Sequence, residues 1–161
     1  MNKFTVRDLT VQVMIATIYV ALVLAFHWVS YGDYQFRVAE ILLILVFFNP
    51  KHAIGLILGT FVANLFSPFG ILDSLVGTLA TILAIIPMIF LKKRWYLAII
   101  IPAITNGILV SMLNSIVGGS WIGYWQFALT VFIGELAVML LLGIPFHLFT
   151  NRNKEFQQLI K

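Results

Sequence analysis

The sequence predicts an all-α membrane protein whose six helices cross the bilayer, and three observations lead to that fold class. First, 61% of the 161 residues are hydrophobic and only 10% are charged, whereas a soluble domain carries about 25% charged residues. Second, long apolar runs alternate with short breaks that contain Pro, Gly and basic residues. Third, Lys and Arg concentrate in alternate breaks, as the positive-inside rule requires. The length fits one domain, residues 1–161.

The breaks define the six helices in chain order. The tract YGDYQF ends the first run, the turn signal NP ends the second, SPFG the third, KKR the fourth and GGS the fifth, and the tail NRNKEFQQLIK follows the sixth. The predicted helices are residues 9–30, 37–48, 53–66, 73–91, 95–117 and 124–150. A spanning helix needs about 20 residues, so the second and third are short. They are accommodated by tilt or local thinning of the bilayer, or they pack around a cavity.

The basic residues predict the orientation in the membrane. With both termini in the cytoplasm, every one of the 10 Lys and Arg residues except Arg37 falls on the cytoplasmic side. An Arg on the outer side opposes this trend, so we expect Arg37 to have a local role. The same distribution argues against nucleic-acid binding, because the net charge of +4 is spread over short breaks and forms no patch.

Polar residues within or beside the apolar runs are candidates for a binding site, since ionisable groups in a membrane are costly and usually functional. The candidates are Gln35, Arg37, Glu40, Asn64, Asp73, Asn114, Trp125 and Glu135. Each acid also has a structural interpretation: Glu40 as a local ion pair with Arg37, Asp73 as a helix N-cap, and Glu135 as a protonated acid hydrogen-bonded inside the bundle.

Most of these candidates map to the outer third of the predicted bundle. Apolar walls, aromatic faces and a few placed polar groups describe a small-molecule pocket open to the outside. Carboxylates accept hydrogen bonds, amides donate and accept, and Arg only donates. A small, flat, polar heterocycle therefore fits, and it could carry a positive charge.

Several activities are disfavoured by what the sequence lacks. It contains no cysteine, so thiolate chemistry and Cys-bound metals are excluded. It contains no P-loop motif, so the chain is not expected to hydrolyse ATP. The three histidines fall on different sides of the predicted bundle, and no nucleophile constellation is evident. We therefore expect no cofactor, no metal and no enzymatic activity.

A ridge of small residues at four-residue spacing runs along the first helix: Thr17, Ala21 and Ala25. Such a ridge lets another helix approach closely. The neighbour is either a helix of the same bundle or another protein.

Three segments carry a family resemblance: YQFRVAEILLIL, GLILGTFVANLFSPFGILDSLVGTLATILA and GELAVMLLLGIP. They resemble the QueT family, the substrate-binding S components of energy-coupling factor transporters for queuosine precursors. The resemblance implies a six-helix S-component bundle in the plasma membrane of a prokaryote. It also implies capture of 7-cyano- or 7-aminomethyl-7-deazaguanine from outside, with the loop between the first two helices as a gate.

The resemblance further implies partners. S components dock on a transmembrane coupling protein driven by two cytoplasmic ATPases, and they topple in the membrane to release substrate. In S components an alanine ridge on the first helix makes this contact, and here Thr17, Ala21 and Ala25 occupy the ridge, with Thr17 in place of an alanine. Two alternatives stay open: an S component for another flat micronutrient, thiamine- or riboflavin-like, and a stand-alone proton-coupled transporter that uses Glu135.

Overall fold

A computed structural model describes residues 4–32 and 34–160, and these residues form helices with no β-strand among them. The α-helices are α1 (Val6–Ala25), α2 (His27–Ser30), α3 (His52–Asn64), α4 (Ile71–Phe90), α5 (Trp95–Ala98), α6 (Ile101–Val117), α7 (Tyr124–Val138), α8 (Ile144–Arg152) and α9 (Lys154–Leu159). Three further segments are the 3₁₀ helix Val38–Phe47, the 3₁₀ turn Lys92–Arg94 and the π-helical segment Met139–Gly143. The all-α prediction is confirmed.

Three helical stretches are long and apolar enough to cross a membrane: Val6–Ala25, Ile71–Phe90 and Tyr124–Arg152. A fourth candidate is the pair Lys92–Ala98 and Ile101–Val117, which bends by 51° at its break. The structure thus supports three or four of the six predicted spans by length and composition. Six spans and cytoplasmic termini stay predictions.

The two remaining predicted spans are short for a bilayer. The 3₁₀ helix Val38–Phe47 has 10 residues, which at about 2.0 Å per residue extend about 20 Å. Helix α3 has 13 residues, which at about 1.5 Å per residue extend about 20 Å. The hydrocarbon core is about 30 Å thick, so neither covers it when straight.

The 3₁₀ helix Val38–Phe47 lies at the centre of the bundle. Helix α1 packs on α3, α3 on α4, α4 on α6 and α6 on α7, while the 3₁₀ helix contacts α1, α3, α4, α7 and α8. Its residues are apolar on every side except for Glu40, and seven of them are buried. A helix that is hydrophobic all round belongs in a core, which explains its central position.

The bundle is apolar outside and carries polar groups inside, the reverse of a soluble protein. On α4, Leu75, Leu79 and Leu83 are exposed one turn apart, whereas Asp73, Ser74 and Thr81 are buried. Exposed leucines in this pattern suit lipid contact. The buried polar groups therefore need hydrogen-bond partners inside the protein.

Several boundaries differ from the sequence expectation for local reasons. The first predicted helix is interrupted at Phe26, whose backbone leaves the helical region. The fifth is broken between Ala98 and Ile101, just before Pro102. The sixth passes through the π-helical segment immediately before Pro145, which cannot donate a backbone hydrogen bond.

The polar tail also departs from the sequence analysis, because it forms helix α9. Asn153 accepts a hydrogen bond from the Phe156 backbone at 2.9 Å and so caps α9. Ile160 is buried in the main core, and Phe156 packs against that core. The tail thus closes one end of the bundle.

Candidate functional site

A cavity of about 160 Å³ lies where the loop before Val38–Phe47, the α3–α4 loop, α6 and α7 meet. Its walls are Tyr31, Gln35, Arg37, Pro68, Phe69, Asp73, Asn114 and Phe127. Four of the eight polar or aromatic candidates from the sequence, Gln35, Arg37, Asp73 and Asn114, therefore share one cavity. Aromatic rings supply much of the remaining wall.

The loop after α2 delivers two of these side chains. The Tyr31 hydroxyl donates to the Ala63 carbonyl on α3 at 2.8 Å, and the Phe36 amide donates to the Val29 carbonyl at 3.0 Å. Between these anchors Gln35 has a φ of +44°, the only positive φ of a non-glycine residue in the described ranges. Gln35 and Arg37 are both buried.

Arg37 is only 3% exposed, yet no carboxylate oxygen of the described residues lies within 4.0 Å of its guanidinium. Its guanidinium lies 5.8 Å from the centre of the Tyr31 ring, within reach of a cation–π interaction. The local ion pair with Glu40 considered from the sequence is therefore not formed. A buried guanidinium on a cavity wall, without an anionic partner, is suited to donate to a bound acceptor.

Asp73 occupies the first turn of α4 rather than its N-cap, which is Gly70. Its Oδ2 accepts from the Ser67 hydroxyl at 2.5 Å and from the Phe69 amide at 3.4 Å. These bonds fix the carboxylate in the cavity wall through the SPFG loop. Because both go to Oδ2, Oδ1 is the atom left to accept from a ligand.

Asn64 is buried behind the wall rather than in it. It ends α3 next to Gly77 of α4, and a methyl group added at Gly77 would overlap Asn64 Nδ2 and lie 3.8 Å from a terminal nitrogen of Arg37. Gly77 thus leaves room for both side chains. Asn64 and Arg37 therefore approach the same glycine of α4.

Glu40 and Glu135 are fully buried and do not line the cavity. Glu40 Oε1 accepts from the Tyr19 hydroxyl at 2.7 Å, and Glu135 Oε2 accepts from the Asn106 amide at 2.7 Å. The second oxygen of each carboxyl has no partner among the described residues. Both carboxyls lie near Arg37 but more than 4.0 Å from its guanidinium, and they form a deeper acidic layer.

Trp125 lies elsewhere. It is 78% exposed and lines an apolar groove between α6 and α7 together with Gly107 and Leu129. The structure therefore does not bring it to the cavity.

The small-residue ridge of α1 faces outward. Thr17, Ala21 and Ala25 are exposed, and Thr17 and Ala21 line a groove of about 430 Å³ with Leu58 and Val62 of α3. Ala25 lies one turn beyond the groove. Within the described residues, the ridge is therefore not buried against another helix of the bundle.

The predicted site residues do not include Tyr19 or four residues of the cavity wall, Tyr31, Pro68, Phe69 and Phe127. Tyr19, the hydroxyl donor to Glu40, is a single tyrosine in the interior of an apolar helix, and that position was an available signal. Phe69 and Phe127 line the cavity, but they resemble the many other phenylalanines of the chain. Within the described residues no group of His, Asp and Glu is placed to hold a metal ion.

Comparison with known proteins gives one family. The family model described as QueT transporter matches residues 9–152. A curated relative, "Queuosine precursor transporter QueT" of Lactococcus lactis subsp. cremoris (strain MG1363), is 36% identical over 84 residues. That alignment covers 51% of this chain and 49% of the relative, about half of each. No solved structure matches.

Proposed function

The chain belongs to the QueT transporter family, and on that premise we propose that it binds a queuosine precursor from outside the cell for import. The proposed ligand is a 7-deazaguanine base with a cyano or aminomethyl substituent. The observation that carries the proposal is the meeting of Gln35, Arg37, Asp73 and Asn114 on one cavity. A guanine-type ring presents a carbonyl beside N–H donors, which needs one donor and one acceptor close together.

Asp73 is the acid proposed to accept from the N–H edge of the base. It lies on the cavity wall with its orientation fixed by Ser67, whereas Glu40 is turned toward Tyr19. Arg37 is proposed to donate to the base carbonyl. Tyr31, Phe69 and Phe127 supply rings to cover the faces of the base.

The cavity size favours a small ligand. An apolar cavity of about 150 Å³ in another protein holds benzene, and drug-sized ligands occupy about 300–1,000 Å³. A space of about 160 Å³ needs a modest widening for a fused two-ring base. A nucleoside or a flavin would need a far larger rearrangement.

Glu40, Asn64 and Glu135 are proposed to act from behind the wall. Asn64 and Arg37 both approach Gly77 of α4, and the two carboxyls lie deeper in the bundle near the guanidinium. Arg37 then keeps its donors directed at the cavity without being locked in an ion pair.

We further propose that the chain is an S component, which docks through Thr17, Ala21 and Ala25 on a membrane coupling protein driven by two cytoplasmic ATPases. The exposed groove beside Thr17 and Ala21 supports this. Co-purification with these partners and ATP-dependent uptake in vesicles would test it. Uptake that needs a proton gradient and no ATPase would instead favour a stand-alone transporter using Glu135.

Binding is tested with the purified chain in detergent, titrated with the aminomethyl and cyano bases, guanine, thiamine and riboflavin, and followed by calorimetry. We expect a deazaguanine to bind and the two vitamins not to bind. Asp73→Asn should weaken binding about 10- to 100-fold, the loss of one charged hydrogen bond. The matched control Glu155→Gln, on an exposed residue, should stay within about twofold. A folded wild type that binds no deazaguanine would remove the proposal.

A further inference from the structure

Gly134 of α7 lies against the backbone of the loop that carries Gln35. A methyl group added at Gly134 would overlap the Tyr34 carbonyl oxygen and lie 2.7 Å from its carbonyl carbon. The obstructing atoms belong to the backbone, so no side-chain rotation relieves the clash. Only a glycine at this position lets the loop approach α7 so closely.

The residue that follows Tyr34 is the one with unusual geometry. Gln35 has a φ of +44°, a conformation that a residue with a Cβ atom rarely adopts and keeps only where its surroundings enforce it. Hydrogen bonds hold the loop on one side, from Gln35 N to Gly32 O at 3.0 Å and from Phe36 N to Val29 O at 3.0 Å. The contact with Gly134 holds it on the other.

The Gln35 side chain ends in the cavity wall without a partner. Gln35 is 6% exposed and lines the cavity, and its Oε1 has no hydrogen-bond partner among the described residues. A buried carbonyl oxygen without a partner is costly. A ligand N–H that reached this oxygen would remove that cost.

Resting on the proposed function, we propose that Gly134 is a positioning residue for substrate binding. By admitting the Tyr34 carbonyl, it holds Gln35 in its left-handed conformation and presents Oε1 to an N–H donor of the base. Gln35 is the contact residue, and Gly134 acts through it.

The first test compares two glycine substitutions on or next to α7. Gly134→Ala should weaken binding of 7-aminomethyl-7-deazaguanine by about tenfold or more. Gly123→Ala adds a methyl group where no atom lies within 4 Å and should stay within about twofold. Equal affinity of Gly134→Ala and wild type would overturn the inference.

A double-mutant cycle separates positioning from general loosening of the fold. If Gly134 acts through Gln35, then Gly134→Ala adds little further loss in a Gln35→Ala background. The same fold-loss in both backgrounds would contradict the assignment.

Should Gly134→Ala fail to fold, Gln35→Asn serves as the test instead. Asn tolerates a positive φ, but its side chain is one methylene shorter and so withdraws the amide oxygen from the cavity. It should weaken binding about tenfold without lowering thermal stability, and wild-type affinity would refute the role of Oε1.

A readout without ligand distinguishes failure of this inference from failure of the proposed function. In the empty protein, hydrogen exchange at the Phe36 and Arg37 amides should be faster in Gly134→Ala than in Gly123→Ala, because the loop loses its contact with α7. Equal exchange rates in the two variants would show that the contact with Gly134 does not hold the loop, whatever the binding result. A wild-type protein that binds none of the bases would refute the proposed function but would leave the contact between Gly134 and the loop untouched.

Discussion

Removal of the Tyr19 hydroxyl is the sharpest test of the buried acidic layer. Tyr19 is 1% exposed and Glu40 is completely buried, and their hydrogen bond of 2.7 Å is the one that Glu40 accepts within the described residues. Tyr19→Phe keeps the ring and its packing. It leaves both oxygens of a buried carboxyl without a donor, since Oε2 already has none.

The expected loss follows from the kind of bond removed. A buried acceptor that loses its donor costs about 1–3 kcal/mol of the free energy of unfolding. For a chain of this size, each 1 kcal/mol lowers the melting temperature by about 2–4 °C. Tyr19→Phe should therefore lower the melting temperature by roughly 2–12 °C.

Thermal unfolding in detergent, followed by circular dichroism, measures this shift. The matched control is Tyr96→Phe, because Tyr96 is 56% exposed and its hydroxyl can bond to solvent. In a double-mutant cycle with Glu40→Gln, the loss caused by Tyr19→Phe should change by about 0.5–3 kcal/mol, because the two side chains are hydrogen-bonded to each other. If the Tyr19→Phe and Tyr96→Phe proteins have the same melting temperature, the hydrogen bond between Tyr19 and Glu40 does not stabilise the fold.

Three further predictions concern Arg37 and its surroundings. Arg37→Gln removes a buried guanidinium that has no carboxylate oxygen within 4.0 Å among the described residues, so in the same thermal assay it should lower the free energy of unfolding by less than the roughly 3–5 kcal/mol of a broken buried ion pair. Glu135→Gln keeps an oxygen that can accept from Asn106 and should change the free energy of unfolding by less than about 1 kcal/mol in the same assay; a loss of about 3 kcal/mol or more would show that a carboxylate charge at this position supports the fold. Gly77→Ala should displace Asn64, lower stability by about 1–3 kcal/mol and weaken ligand binding measured by calorimetry. A Gly77→Ala protein indistinguishable from Gly123→Ala would show that Asn64 has room to move.

Much of the fold could be predicted because helix ends in this chain are marked locally. Prolines, glycines and basic clusters end the apolar runs, and the predicted ends at residues 48, 91 and 117 lie within one residue of Phe47, Phe90 and Val117. The form of each helix could not be predicted the same way. Hydropathy is equally high in an α-helix and a 3₁₀ helix, so the 3₁₀ form of Val38–Phe47 follows from its neighbours and not from its composition.

The site could be predicted in part, for a related reason. Polar residues stand out in an apolar chain, which singled out Gln35, Asp73 and Asn114, and the structure gathers them on one cavity. Their role in binding stays a prediction. The direction in which a side chain points was harder to predict. The segments that carry Glu40 and Glu135 are apolar on nearly every face, so no polar stripe marks the side that faces the cavity.

The burial of Arg37 connects the topology of the chain with its proposed binding role. Among the described residues, Arg37 is the buried member of the Lys and Arg set, and it is also the one that the charge bias assigns to the outer side. Basic residues that orient a membrane protein act from water at the cytoplasmic surface and need no burial. A guanidinium kept inside, between a cavity and two carboxyls, carries a desolvation cost that topology does not offset. A bound acceptor facing the guanidinium would offset that cost, and this is the physical reason for the proposal that Arg37 contacts the substrate.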